Sequence, residues 1–239
     1  MGLFKEPDIK KLRQEKNVKG LIKALKYTKD ADIQQDAAAA LGHMQDTKAV
    51  DALIKVLKNK NYEHRVRERA GYSLGMIGDT RAVEPLIQTL QDKEGIIGRQ
   101  MYLDGLGRIK DDRVIDYLIQ VLREKNDSTD QARAATALFK FGKIAIDPLI
   151  QVLKDETAAG AQNAVIALRN IGGDEAMEGI IQAFSHPDFK VRAKAAEAIG
   201  DIGGSKAVET LKKALQDESD FVKGYVREAL TKLSAKDEN

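Results

Sequence analysis

No cysteine occurs in the chain, and that absence removes disulfides, thiolate metal sites, iron–sulfur clusters and thiol nucleophiles together. Tryptophan is also missing, aromatic residues make up 5%, and there are only 3 histidines. Base-stacking platforms and His-based acid–base groups are correspondingly scarce. Proline is reduced to 4 residues in 239, so little interrupts a helix. No apolar run reaches the roughly 18 residues that cross a bilayer. The opening Met-Gly-Leu-Phe-Lys-Glu has no apolar signal core, and Glu6 occupies the place where myristoylation wants Ser or Thr. A cytoplasmic protein is expected. Charge of one sign is lacking too: 39 basic and 37 acidic side chains leave +2, which gives no drive toward nucleic acid or an anionic membrane.

Alanine, leucine, lysine, glutamate and isoleucine fill the space, an all-helical composition. They recur with a period. Leu25, Leu57, Leu90, Leu122, Leu153, Phe184 and Leu215 each close a similar segment, at spacings of 32, 33, 32, 31, 31 and 31. Such a period predicts stacked helical hairpins, each touching its neighbours. Two helix types alternate. The first ends in the closing Leu, as in VEPLIQTL, where Val83, Leu86, Ile87 and Leu90 form one apolar stripe. Ten residues before each closing position stand Thr47, Thr80, Asp112, Lys143, Asp174 and Ser205, five of them able to cap a first turn. Pro85 and Pro148 predict a bend or one lost backbone bond.

The second type carries small residues, as in RAGYSLGMI and KAAEAIGDI, and can approach its neighbours closely. The slimmer layer is expected to line a concave face. Residues 1–17 read as an N-terminal capping helix with Phe4, Ile9 and Leu12 on its apolar edge, 18–234 as the repeat array and 235–239 as a solvated tail. In the column Ile22, Ile54, Ile87, Ile119, Ile150 and Ile181, the seventh place is Lys212, as expected where packing neighbours run out.

From Val66 to Ile87, and again from Val191 to Val208, the chain resembles short HEAT-like repeats of the phycobiliprotein-lyase type, whose unit runs V-R-x-x-A-A-x-A-L-G-x-I-G-D and then R-A-V-E-P-L-I. Lys140 with Phe139, and Ala161 where copy two has Arg67, depart from it. The resemblance implies a right-handed α-solenoid of about seven helical hairpins behind a short capping helix. Similar units serve scaffolds, lyases and hydroxylases, so fold alone does not choose among these functions.

The recurring Arg67, Arg99 and Arg192, with Lys223 in their column, read as structural: they are expected to pair with Asp46, Asp79 and Asp111 and to bond turn carbonyls. HEAT-type di-iron hydroxylases carry His-Glu pairs, but here only the reversed Glu63-His64 occurs. His43, His64 and His186 read as surface side chains; no metal, cofactor or catalytic residue is assigned. What stands out is the set of variable second-type positions in copies two to four: His64, Arg65, Arg69, Tyr72, Met76, Ile97, Met101, Arg108, Arg133 and Lys140. Among those variable positions Glu68 and Asp104 are the opposing carboxylates. Tyr, Met and Arg are the types enriched at binding hot spots. The function expected is a non-enzymatic, monomeric scaffold whose groove holds a protein or peptide, possibly acidic and partly apolar. Nucleic acid and membrane are not expected partners. The alternative is an accessory enzyme of the lyase or hydroxylase type.

Overall fold

The computed structural model describes residues 6–92, 98–124, 128–154 and 158–237, and among them every regular element is helical. The chain divides into two compact units, Met1–Val114 and Ile115–Asn239. In the first unit α1 (Ile9–Gln14) packs on α2 (Val18–Ala24) and α3 (Ala31–Met44). There follow α4 (Val50–Lys58), α5 (His64–Ile77), α6 (Val83–Gln91) and α7 (Arg99–Leu106). Helix α8 (Asp112–Arg123) begins in the first unit and ends in the second. The second unit continues with α9 (Ser128–Phe139), α10 (Ile146–Val152), α11 (Ala158–Ile171), α12 (Gly173–Gln182), α13 (Phe189–Ile202), α14 (Ser205–Ala214) and α15 (Asp220–Asp237). Helix α15 thus runs three residues past the expected end of the repeats at 234. The all-α helical-repeat architecture is as the period implies.

Small side chains decide how the second-type helices meet. Helices α3, α5 and α7 stack in one unit, and α9, α11, α13 and α15 in the other. A Cβ placed on Gly75 of α5 would stand 2.1 Å from the Gly105 carbonyl oxygen of α7, so the two backbones touch directly. Gly42 meets Ser73 and Gly200 meets Ala229 in the same manner. The first-type helices supply bulk instead, with Leu21, Leu53, Leu57, Leu86 and Leu90 fully buried. Most of their Ile column sits at the rim: Ile22, Ile54, Ile87, Ile150 and Ile181 are half-buried and Lys212 is exposed, whereas Ile119 is buried.

In copies two to four capping falls one residue earlier than expected, while Asp174 and Ser205 lie inside α12 and α14 and cap neither. Asp46, Asp79 and Asp111 accept the backbone N–H of Lys48, Arg81 and Arg113 at 2.9, 3.0 and 3.1 Å, and Thr47 and Thr80 open a 3-10 turn instead. A short aspartate placed just before the turn reaches the orphan donors best. Pro85 and Pro148 lie third in α6 and α10, in the first α-turn, where proline is tolerated.

The recurring cations clamp carbonyls. Arg67 Nε donates to the closing Leu57 oxygen at 3.2 Å and Arg99 Nη1 to that of Leu90 at 2.5 Å. Gln34 and Gln131 do the same for Leu25 and Leu122, at 3.2 and 3.1 Å. The aspartate half of the expectation is corrected. Asp79 and Asp111 pair with Arg81 and Arg113 of their own loops, both at 2.8 Å, because those guanidiniums are two residues away.

Candidate partner-binding face

The first turn of α5 exposes His64 and Arg65, since Val66 and Arg67 take the inward positions. Arg65 does not stand free. Its Nε contacts Glu63 Oε2 at 2.8 Å and its Nη1 contacts Asp32 of α3. Those two carboxylates lie outside the α5 and α7 positions whose charges the sequence compares, so the local positive excess is smaller than it suggests. One and two turns on, Arg69, Tyr72 and Met76 emerge half-buried on the same stripe. Arg69 has no hydrogen bond or ion pair among the described residues.

Helix α7 completes the face. Arg108, just beyond its end, donates from Nη2 to the Tyr72 hydroxyl at 2.8 Å, and its guanidinium carbon lies 4.9 Å from the ring centroid. The cation therefore both stacks on and bonds the aromatic side chain across two helices. Met101 of α7 is half-buried, whereas Ile97 lies outside the described residues. Beneath the face, Tyr102 fills the space left by Gly71, whose Cβ would stand 2.4 Å from its ring. Burial pushes the Tyr102 hydroxyl up to about 12; Arg67 pulls it down, and Glu68 adds to the rise. It stays neutral and serves as packing. Arg133, half-buried in α9, and exposed Lys140 belong to the second unit, and neither stands free. The structure thus brings five of the ten residues onto the α5 stripe (His64, Arg65, Arg69, Tyr72 and Met76) and joins Arg108 to it.

A second aromatic group lies at equivalent positions in copies six and seven. Phe189 opens α13, as His64 opens α5, and its ring meets that of Phe221 edge-on at 5.4 Å. Phe221 in turn lies 5.0 Å from Tyr225. Phe189 is 41% and Phe221 50% exposed, which is unusual for rings of that size. The signal was in the sequence: Asp188-Phe189-Lys190 and Asp220-Phe221-Val222 put Phe where copy two has His64 or Arg65.

His43 and His64 are exposed, but the expectation of a surface His186 is corrected. It is buried, with Nδ1 accepting the Asp188 N–H at 3.0 Å and its carbonyl accepting from Arg192 at 3.0 Å. Among the described residues no three His, Asp or Glu side chains come together as a metal site.

Sequence comparison matches HEAT repeats over residues 18–103, 66–139 and 146–231. The chain belongs to the HEAT repeat family. No curated protein matches it. Among solved structures, this HEAT repeat chain is similar to the complex of CpcE and CpcF of phycocyanin lyase from Nostoc, at 21% identity and TM-score 0.50, over 91% of this chain and 94% of that one. Human deoxyhypusine hydroxylase in complex with glycerol matches at 21% identity and TM-score 0.43, over 95% and 88% of the two chains. The Escherichia coli protein YibA matches at 16% identity and TM-score 0.47, over 98% and 99%. At such identities the likeness extends to the fold. Among the described residues no helix is long and apolar enough to cross a membrane.

Proposed function

We propose that this HEAT repeat chain is a non-enzymatic scaffold that binds an acidic, partly apolar protein or peptide segment on its second-type helices. The Arg108–Tyr72 stack carries the reading, because it presents a polarised aromatic centre next to the unpaired Arg69. Met76 and Met101 give an adaptable apolar surround, and His64 and Arg65 form a polar rim. Arg133 and Lys140 serve as contacts on the second unit, and Ile97 as a further apolar contact. The scaffold acts as a cytoplasmic monomer.

Capture from host extract tests the reading with two variants. Tyr72→Ala is expected to weaken binding by about 2 kcal/mol. Arg69→Glu is expected mainly to slow association and to lessen its dependence on salt. Both variants should keep the helical circular dichroism of the parent, since neither side chain belongs to the buried columns. If both fold and retain every captured partner, the face is not the binding surface.

A further inference from the structure

Neighbouring first-type helices leave a cleft between them, and two such clefts can be compared column by column. In the first unit the cleft between α2 and α4 encloses about 250 Å³ over a floor of Ile22, Leu25 and Val56, with Tyr62 at one end. In the second unit the α12–α14 cleft encloses about 360 Å³ over Ile181, Phe184 and Ala214. Ile22 and Ile181 share one column, and Leu25 and Phe184 another. The hollow is therefore a product of the repeat, and by itself it says nothing about a ligand.

Charge separates the two. In the α12–α14 cleft Lys213 pairs with Glu209 at 2.6 Å, and Asp217 is held by Arg192 at 2.8 Å. Around the α2–α4 cleft stand Lys26, Lys48 and Lys55, whose side chains have no hydrogen bond or ion pair among the described residues. The one carboxylate at that lip, Asp51, is turned to Arg81 at 3.0 Å. Like charges gathered without counter-charges repel one another and do nothing for folding.

We infer that the α2–α4 cleft docks a short acidic peptide segment, its floor taking one large apolar side chain and Lys26, Lys48 and Lys55 meeting the flanking carboxylates. The hollow is smaller than the roughly 300–1,000 Å³ of sites that enclose a whole small molecule, which suits a single anchoring side chain. A nucleic acid would use the lysines and leave the apolar floor idle. This surface is independent of the face on α5 and α7.

The test is fluorescence anisotropy of the full chain with a short labelled peptide in which Asp and Glu surround a central Leu–Phe pair. Saturable binding is expected, weakening about fivefold or more as salt rises from about 50 to about 300 mM. The triple variant Lys26→Gln, Lys48→Gln, Lys55→Gln should bind at least about tenfold more weakly, as should a peptide with Ser in place of Leu–Phe. Lys213→Gln, in the equivalent cleft, should leave affinity unchanged. Absence of saturable binding overturns the inference, and so does a triple variant that binds like the parent. Loss on Tyr72→Ala beside parental binding by the triple variant would move the peptide to the α5–α7 face, refuting this site while supporting that one. Polyuridine RNA or phosphatidylserine vesicles that outcompete the peptide would also refute it.

Discussion

At Gly75 an added methyl would lie 2.1 Å from a backbone oxygen, whereas at Gly224, inside α15, nothing stands within 4 Å. The same substitution should therefore have opposite signs. Gly75→Ala forces α5 and α7 apart and is expected to lower stability by about 2 kcal/mol. Gly224→Ala removes a glycine from a helix interior without crowding anything, and should raise stability by about 0.5–1 kcal/mol. Urea midpoints of the two variants check both, and a shift of the same sign in each would refute the packing argument. Size could be read from the sequence, which is why the Ala/Gly columns marked the close-packed helices. The pairing of Gly75 with Gly105 could not, because it depends on how two helices slide along each other. Arg67 was legible as a structural group that bonds carbonyls, but which carbonyl it takes was not. A main-chain carbonyl has no letter of its own, whereas Asp79 does.

Among the elements, α1 shows what a helix of six residues needs. Asp8 caps it by accepting the Lys11 N–H at 2.9 Å, and Leu12 seats against Gly20 of α2, whose Cβ would lie 2.5 Å from Leu12 Cδ2. So short a helix is marginal alone and lives on this packing. Deleting residues 1–17 should uncover the neighbours of buried Leu21 and Leu25 and bring aggregation or a lower melting temperature. Unchanged solubility and melting would show that α1 is not a cap. Element existence was plain from the apolar stripes, and the cap positions slipped because a 3-10 turn precedes the α-helix in copies two and three. The candidate face was half legible. Copies two to four led to Tyr72 and Arg108, and only the ring contacts of α13 and α15 drew attention to Phe189, Phe221 and Tyr225.

For the whole molecule, ion pairs of depressed carboxylates set an acid limit. Arg192 and Asp217 side chains are 7% and 10% exposed and joined at 2.8 Å. Burial pushes the Asp217 carboxyl up, but the Arg192 guanidinium, the Ser219 N–H and Lys223 outweigh it and hold the group below 3.8. Asp201 follows the same pattern with Lys232 and Arg169. Carboxylates depressed in the folded state stabilise it above their unfolded value and stop doing so as pH falls through the folded one. Urea midpoints should thus be level above about pH 5 and decline progressively below about pH 4, with Asp217→Asn flattening the decline. A midpoint indifferent to pH down to 3 would refute this. The 31–33-residue period made the architecture legible, yet the division between Val114 and Ile115 was not, since it falls inside α8, whose IDYLIQVL keeps the repeat pattern. The backbone contact of Gly75 with Gly105 has one consequence for descent. Whichever glycine is lost first bears the cost of parting α5 from α7, and the room so opened lets the second go cheaply. A lineage that has crossed that step has little reason to return, so the two glycines are expected to be kept or lost together.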